Sequence, residues 1–168
     1  MNISYLSYDA ATVAGLRAGG PDAYGNAAEI MTSSGEGNPC RCCLDHVPLG
    51  AEMLVCAARP FDSLHAYAET GPIFLCADVC APYAGDTPPP ILRSSPDYLV
   101  KAYDMDERIV YGTGRITAAA DVPAYAASLL ARDGIAHVDI RSAKNNCFLT
   151  RVIRTDGQHN HRPSQTGT

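Results

Sequence analysis

The 168-residue chain has no basic excess: thirteen Lys and Arg stand against eighteen Asp and Glu, a formal net charge of −5. No cationic stripe is laid out for a phosphate backbone, so no nucleic-acid partner is expected. The chain also lacks an apolar run near the roughly 20 residues of a membrane-spanning helix, so no membrane partner is expected. Its start, Met1-Asn2-Ile3-Ser4-Tyr5, has neither the basic nor the apolar region of a secretory signal. A P-loop, a dinucleotide-binding fingerprint, H-E-x-x-H and G-x-S-x-G are all missing, so none of those chemistries is signalled. The expectation is a soluble, cytoplasmic protein. Neither substrate nor oligomeric state leaves a signature.

What is present is a globular composition, 46% apolar, enough for one domain over 1–154. The polar stretch 155–168, with His159 and His161, reads as a disordered tail. Met1 to Tyr8 reads as a strand. Asp9 caps a short helix from Ala10 to Ala18, ended by Gly19-Gly20-Pro21. Extended stretches follow at Glu29–Met31, Glu52–Ala58, Pro72–Leu75, Tyr98–Tyr103 and Arg108–Ile116. Pro82 to Pro96 reads as an extended surface segment. Asp121 caps the clearest helix, with Val122, Tyr125, Ala126, Leu129 and Leu130 on one stripe and Gly134 at its end. Ala136–Arg141 and Cys147–Arg154 form a hairpin, with Val138 and Ile140 on one face. The class is α+β, with a largely antiparallel sheet.

Seven cysteines are the anomaly. An odd count without a signal argues against a disulfide framework. Four form two close pairs: Cys40 with Cys43 (C-x-x-C) and Cys76 with Cys80 (C-x-x-x-C). Zinc favours four thiolates in a tetrahedron, and two short-range pairs supply them once two turns are brought together. The plainer reading is four separate buried thiols, since cysteine is often a core residue. A thioredoxin-like site is disfavoured, because Gly35 to Pro39 precede the first pair and Pro48 and Gly50 follow it, leaving no helix to open there. Cys42 and His46 are substitute ligands; Cys56 and Cys147 read as core. Four thiolates around a dication would carry −2, and Arg41, inside the first pair, is the candidate basic neighbour.

Several segments resemble the bacterial domain-of-unknown-function family 1203: Pro39-Cys40-Arg41-Cys42-Cys43-Leu44, Arg59-Pro60-Phe61, Tyr67 to Phe74, Cys80, Lys101-Ala102-Tyr103-Asp104, His137 to Ser142, and Asn146-Cys147-Phe148. The resemblance brings no established activity. It implies shared cysteines at Cys40, Cys43 and Cys80, and histidine in many members where Cys76 stands here. An exchange of cysteine for histidine is easier to explain at a zinc ligand than in a core.

Three functions follow. The first is a domain stapled by one structural zinc through Cys40, Cys43, Cys76 and Cys80, with a binding or regulatory role. The second is an enzyme of unknown reaction using the connection from Arg59 to Gly71, which holds Arg59, His65, Tyr67 and Glu69; Glu69 would be the base and Arg141 an anion clamp. Against it stands the plainer reading that Tyr67 packs, Glu69 accepts structural hydrogen bonds and Arg141 faces solvent. The third is a thiol or zinc redox sensor, with extra thiols at Cys42 and Cys56.

Overall fold

The computed structural model describes residues 2–155. The expected tail with His159 and His161 lies outside the described residues, apart from Thr155. The α+β expectation holds, but with two antiparallel sheets rather than one.

The larger sheet has six strands: β1 (Ile3–Leu6), β5 (Ala84–Gly85), β6 (Asp97–Tyr103), β7 (Arg115–Ala118), β8 (His137–Ser142) and β9 (Phe148–Arg154). Their order is β5-β1-β9-β8-β6-β7. The smaller sheet is the meander β2 (Glu29–Thr32), β3 (Glu52–Ala58) and β4 (Gly71–Cys76). Helix α1 (Ala10–Arg17) follows β1, and α2 (Val122–Leu130) follows β7.

Each sheet has its own apolar core. Helix α2 lays Val122, Ala126, Leu129 and Leu130 against Val100, Ala102, Val138, Ile140 and Val152 of the larger sheet. Helix α1 lays Val13 and Leu16 against Cys56, Ile73 and Leu75 of the smaller one. Asp9 caps α1, accepting from the Thr12 backbone N–H at 2.7 Å, as Ncap aspartates do.

Four expectations need correction. No strand runs over Arg108–Ile116: only Ile109 bridges Tyr103, and pairing resumes at Arg115. Thr113 Oγ1 accepts from the Ala102 N–H, so a side chain substitutes there for a ladder carbonyl, and Gly112 turns at φ +82°. The proline-rich stretch is not purely a surface segment, because a 3-10 turn at Pro90–Arg93 buries Ile91 and Leu92 in the main core. Helix α2 stops at Leu130, four residues before Gly134, and Asp121 makes no side-chain cap because a 3-10 turn at Ala119–Asp121 leads into it. Arg141 does not face solvent; it is 3% exposed.

That last point reflects an unusual strand. Along β8, Val138 and Ile140 face α2, while His137, Asp139 and Arg141 alternate with them and are all buried too. Alternation places those three polar side chains on the sheet's other face. Asp139 is clamped there by Arg151 of β9, with Nε to Oδ1 at 2.7 Å and Nη2 to Oδ2 at 3.2 Å. Such a bidentate pair satisfies a buried carboxylate that would otherwise be costly.

Candidate metal centre

The first cysteine pair sits in a miniature hairpin. Pro39 bridges His46, the Cys40 N–H donates to the Asp45 carbonyl, and the Leu44 N–H donates back to the Cys40 carbonyl. The turn requires a left-handed residue, and Leu44 takes it at φ 53°. That costs a non-glycine residue roughly 1–2 kcal/mol. Full burial of the Leu44 side chain in the main core offsets it, at roughly 1.5–3 kcal/mol. The hairpin then docks on β4: Cys40 forms a parallel bridge with Phe74, and the Arg41 N–H donates to the Phe74 carbonyl at 3.0 Å.

The second pair begins where β4 ends. Cys76 pairs with Met53 at the end of the β3–β4 ladder, and the chain turns to Cys80. Through this docking the sulfurs of Cys40, Cys43, Cys76 and Cys80 all come within 4.8 Å of one another. A tetrahedron with metal–sulfur bonds of about 2.3 Å has edges of about 3.8 Å. The Cys40 and Cys80 sulfurs are 3.9 Å apart, and all seven cysteines are free thiols. The donor set therefore fits a tetrahedral thiophilic ion, and among the described residues these four are the metal-ligand cluster present.

The surroundings favour thiolate. Cys40 Sγ accepts from the backbone N–H groups of Cys76 at 3.3 Å and Cys42 at 3.4 Å. Donation from the Cys43 thiol, aided by these amides, draws the Cys40 pKa down to about 4 against the effect of burial. Burial, and then the Cys40 charge, push Cys76 up to about 12. Cys40 thus ionises more readily than Cys76, and a bound dication would deprotonate its co-ligands.

Arg17, not Arg41, is the basic neighbour. It donates from Nη2 to Cys80 Sγ at 3.1 Å and from Nε to the Cys76 carbonyl at 3.0 Å. Its signal was available: positions 13, 16 and 17 share one face of α1, and Val13 and Leu16 are its buried residues. Arg41 has a different role. It is 2% exposed and donates to the carbonyls of Pro39 and Phe148, tying the first pair to β9. Burial lowers its pKa to about 10.

The other candidates separate. Cys42 is buried beside the cluster, its sulfur 3.7 Å from the Cys80 carbonyl. His46 lies outside the cluster, with Nδ1 buried and unpartnered. Cys56 is core. Cys147 is only partly buried and lines a cavity rather than the core.

In the Arg59–Gly71 connection the structure separates Tyr67 from Glu69. Tyr67 meets the Tyr111 hydroxyl at 3.3 Å and lies under the Arg108 guanidinium, while His65 contacts Glu107 at 3.4 Å. Arg59 lines a cleft of about 570 Å³ with Tyr8, Phe61 and Phe148. Glu69 and Arg141 do come together, in a second cavity of about 310 Å³. Glu69 Oε2 receives Lys101 Nζ at 2.8 Å and the Tyr103 hydroxyl at 3.2 Å, and Oε1 receives Asn146 Nδ2 at 3.2 Å. Lys101, Tyr103 and Asn146 carry no motif spacing, so only the fold reveals them.

Among known proteins, a family described as a protein of unknown function, DUF1203, matches residues 37–154. The chain belongs to the DUF1203 family. The match spans both cysteine pairs, Glu69 and Arg141, and leaves β1, α1 and Arg17 outside it. No curated protein and no solved structure matches the chain. The DUF1203 assignment therefore identifies kinship and no activity. Among the described residues, no helix is long and apolar enough to cross a membrane.

Proposed function

We propose that this DUF1203 protein is a cytoplasmic binding or regulatory domain that holds one structural zinc ion through Cys40, Cys43, Cys76 and Cys80. The mutual approach of those four sulfurs, within 4.8 Å, carries the reading. Seven free thiols suit a reducing compartment. Zinc adds no redox chemistry, and in a closed four-thiolate site it leaves no position for water or substrate. Its contribution is cohesion. It would join the 40–43 hairpin to the end of β4, with apparent binding free energies for such ions on the order of 10–16 kcal/mol.

The protein's own groups supply the rest. The Cys42 and Cys76 amides and the Arg17 guanidinium spread the negative charge of the thiolates. Catalysis by Glu69 finds less support. Burial pushes its carboxyl up, but Lys101, Arg141 and Asn146 hold it below the usual range. A general base works best with a pKa nearer the working pH.

The test is elemental analysis with native mass spectrometry on protein purified without chelator. One zinc per chain is expected, lost in Cys40→Ser and Cys80→Ser. Less than about half an equivalent in the parent protein, or unchanged metal in both variants, would overturn the reading.

A further inference from the structure

We infer that the cleft beside the start of α1 binds a small aromatic carboxylate, its charged end on Arg59 and Arg151 and its ring against Tyr8 and Tyr83. The inference supplies a ligand for the binding role proposed above. It shares no residue with the metal centre, so zinc content and ligand binding are separate readouts.

Two guanidinium groups line this cleft with donors still free. Arg151 spends Nε and Nη2 on Asp139, and Nη2 also on the Pro60 carbonyl at 2.7 Å. Its side chain stays 18% exposed, and among the described residues Nη1 is neither hydrogen-bonded nor enclosed. Arg59 is less committed still. Among the described residues its guanidinium forms no hydrogen bond and no ion pair; Nε is enclosed, whereas both terminal nitrogens reach solvent. Burial raises the Tyr8 pKa and the Arg59 charge opposes it, which places the guanidinium within electrostatic reach of the Tyr8 hydroxyl. Free arginine donors in a cleft favour the oxygens of a carboxylate or a phosphate.

The walls and rim narrow the class. Tyr8 and Tyr83 line the cleft half-buried, while Phe61 and Phe148 are buried behind them. Phe148 meets the Tyr8 ring edge-on at 6.4 Å, and the Arg151 guanidinium lies over Phe61 at 5.5 Å. Aromatic walls beside a cation suit a ring that carries an anion. The helix end itself is not the anion site, because Asp9 already accepts there from the Thr12 N–H and hydroxyl, both at 2.7 Å. Asp9 and Asp62 are exposed and also line the cleft. Both oppose a second negative charge on the ligand, so a carboxylate is favoured over a doubly charged phosphate ester. The volume, about 570 Å³, falls within the range of small-molecule sites.

The experiment titrates the ¹⁵N-labelled full chain with 3-phenylpropionate, acetate, benzyl alcohol and phenyl phosphate, following the backbone amides at a pH where phenyl phosphate is doubly charged. 3-Phenylpropionate should saturate with a Kd below about 10 mM, at least about tenfold below that of each other compound. The largest shifts should fall on Ser7, Tyr8 and Phe61. Arg59→Met should weaken 3-phenylpropionate at least about tenfold through loss of a charged hydrogen bond. Arg59 has no ion pair to break, so the variant should fold; if it does not, the shift map of the parent protein decides. No saturation below about 10 mM would overturn the inference. So would shifts centred elsewhere, any of the other three compounds binding within about tenfold of 3-phenylpropionate, or a folded Arg59→Met protein that keeps its affinity.

Discussion

Arg17 reaches across 63 positions of sequence to donate a 3.1 Å hydrogen bond to the sulfur of Cys80. Helix α1 thus closes over the cysteine cluster from outside the family match. Arg17→Met should leave one zinc bound but speed its transfer to a chelator by about 10–100-fold, the usual effect of removing a group that orients a ligand. Competition kinetics with a chromogenic chelator measure this. Unchanged transfer would mean the contact has no bearing on the ion.

Metal removal should reach the whole smaller sheet. Stripping the ion removes the link between the sulfurs of the 40–43 hairpin and those at the end of β4, leaving the backbone bonds to Phe74 to hold the two together. Calorimetry of chelated against zinc-loaded protein should show Tm lower by more than about 10 °C, given roughly 2–4 °C per kcal/mol for a chain of this size. Equal Tm values would rule out a stabilising role.

Acid sensitivity should have an identifiable origin in β8. Burial lowers the His137 pKa from 6.5 to about 4, and its Nε2 has no hydrogen-bond partner. The unfolded chain therefore binds this proton more readily than the folded one. Stability should fall as pH drops from about 6.5 to 4, by up to about 3 kcal/mol. Urea titrations of His137→Gln against the parent across this window should show a shallower slope in the variant. The metal's own acid lability is common to both proteins and cancels in the comparison.

Asp139→Asn should be among the most damaging substitutions in the larger sheet. It strips the bidentate carboxylate partner from the buried Arg151 guanidinium. Breaking a buried pair by removing one member costs about 3–5 kcal/mol. The urea midpoint checks this; a loss under about 1 kcal/mol would contradict the buried-pair assignment.

Much of the fold was legible because local rules coincide with the outcome. Glu52–Ala58 is a short apolar run after Glu52 and is a strand over those residues, and Asp9 caps α1 as its type and place suggest. The cysteine pairs were legible because chelating spacing is itself local. What failed was non-local. No periodicity says that Arg108 to Gly114 leaves the ladder after one backbone bond from the Val110 N–H to the Ala102 carbonyl, that β2–β4 form a separate sheet, or that Arg41 turns inward to two carbonyls. The cavity around Arg141 was half legible. Glu69 and Arg141 stood out as residue types, but the cage of Lys101, Tyr103 and Asn146 is drawn from three distant segments.

The β3–β4 hairpin has a cysteine ligand candidate at one tip and the Glu69 connection at the other. Gly71 and Cys76 mark its two ends, about 17 Å apart at the usual rise per residue. That spacing exceeds the reach of ordinary mutational coupling. Lesions at the sulfur end and at the Glu69 end should therefore behave as strangers, their free energies simply adding, so each can be dismantled while the other is left intact as its internal control.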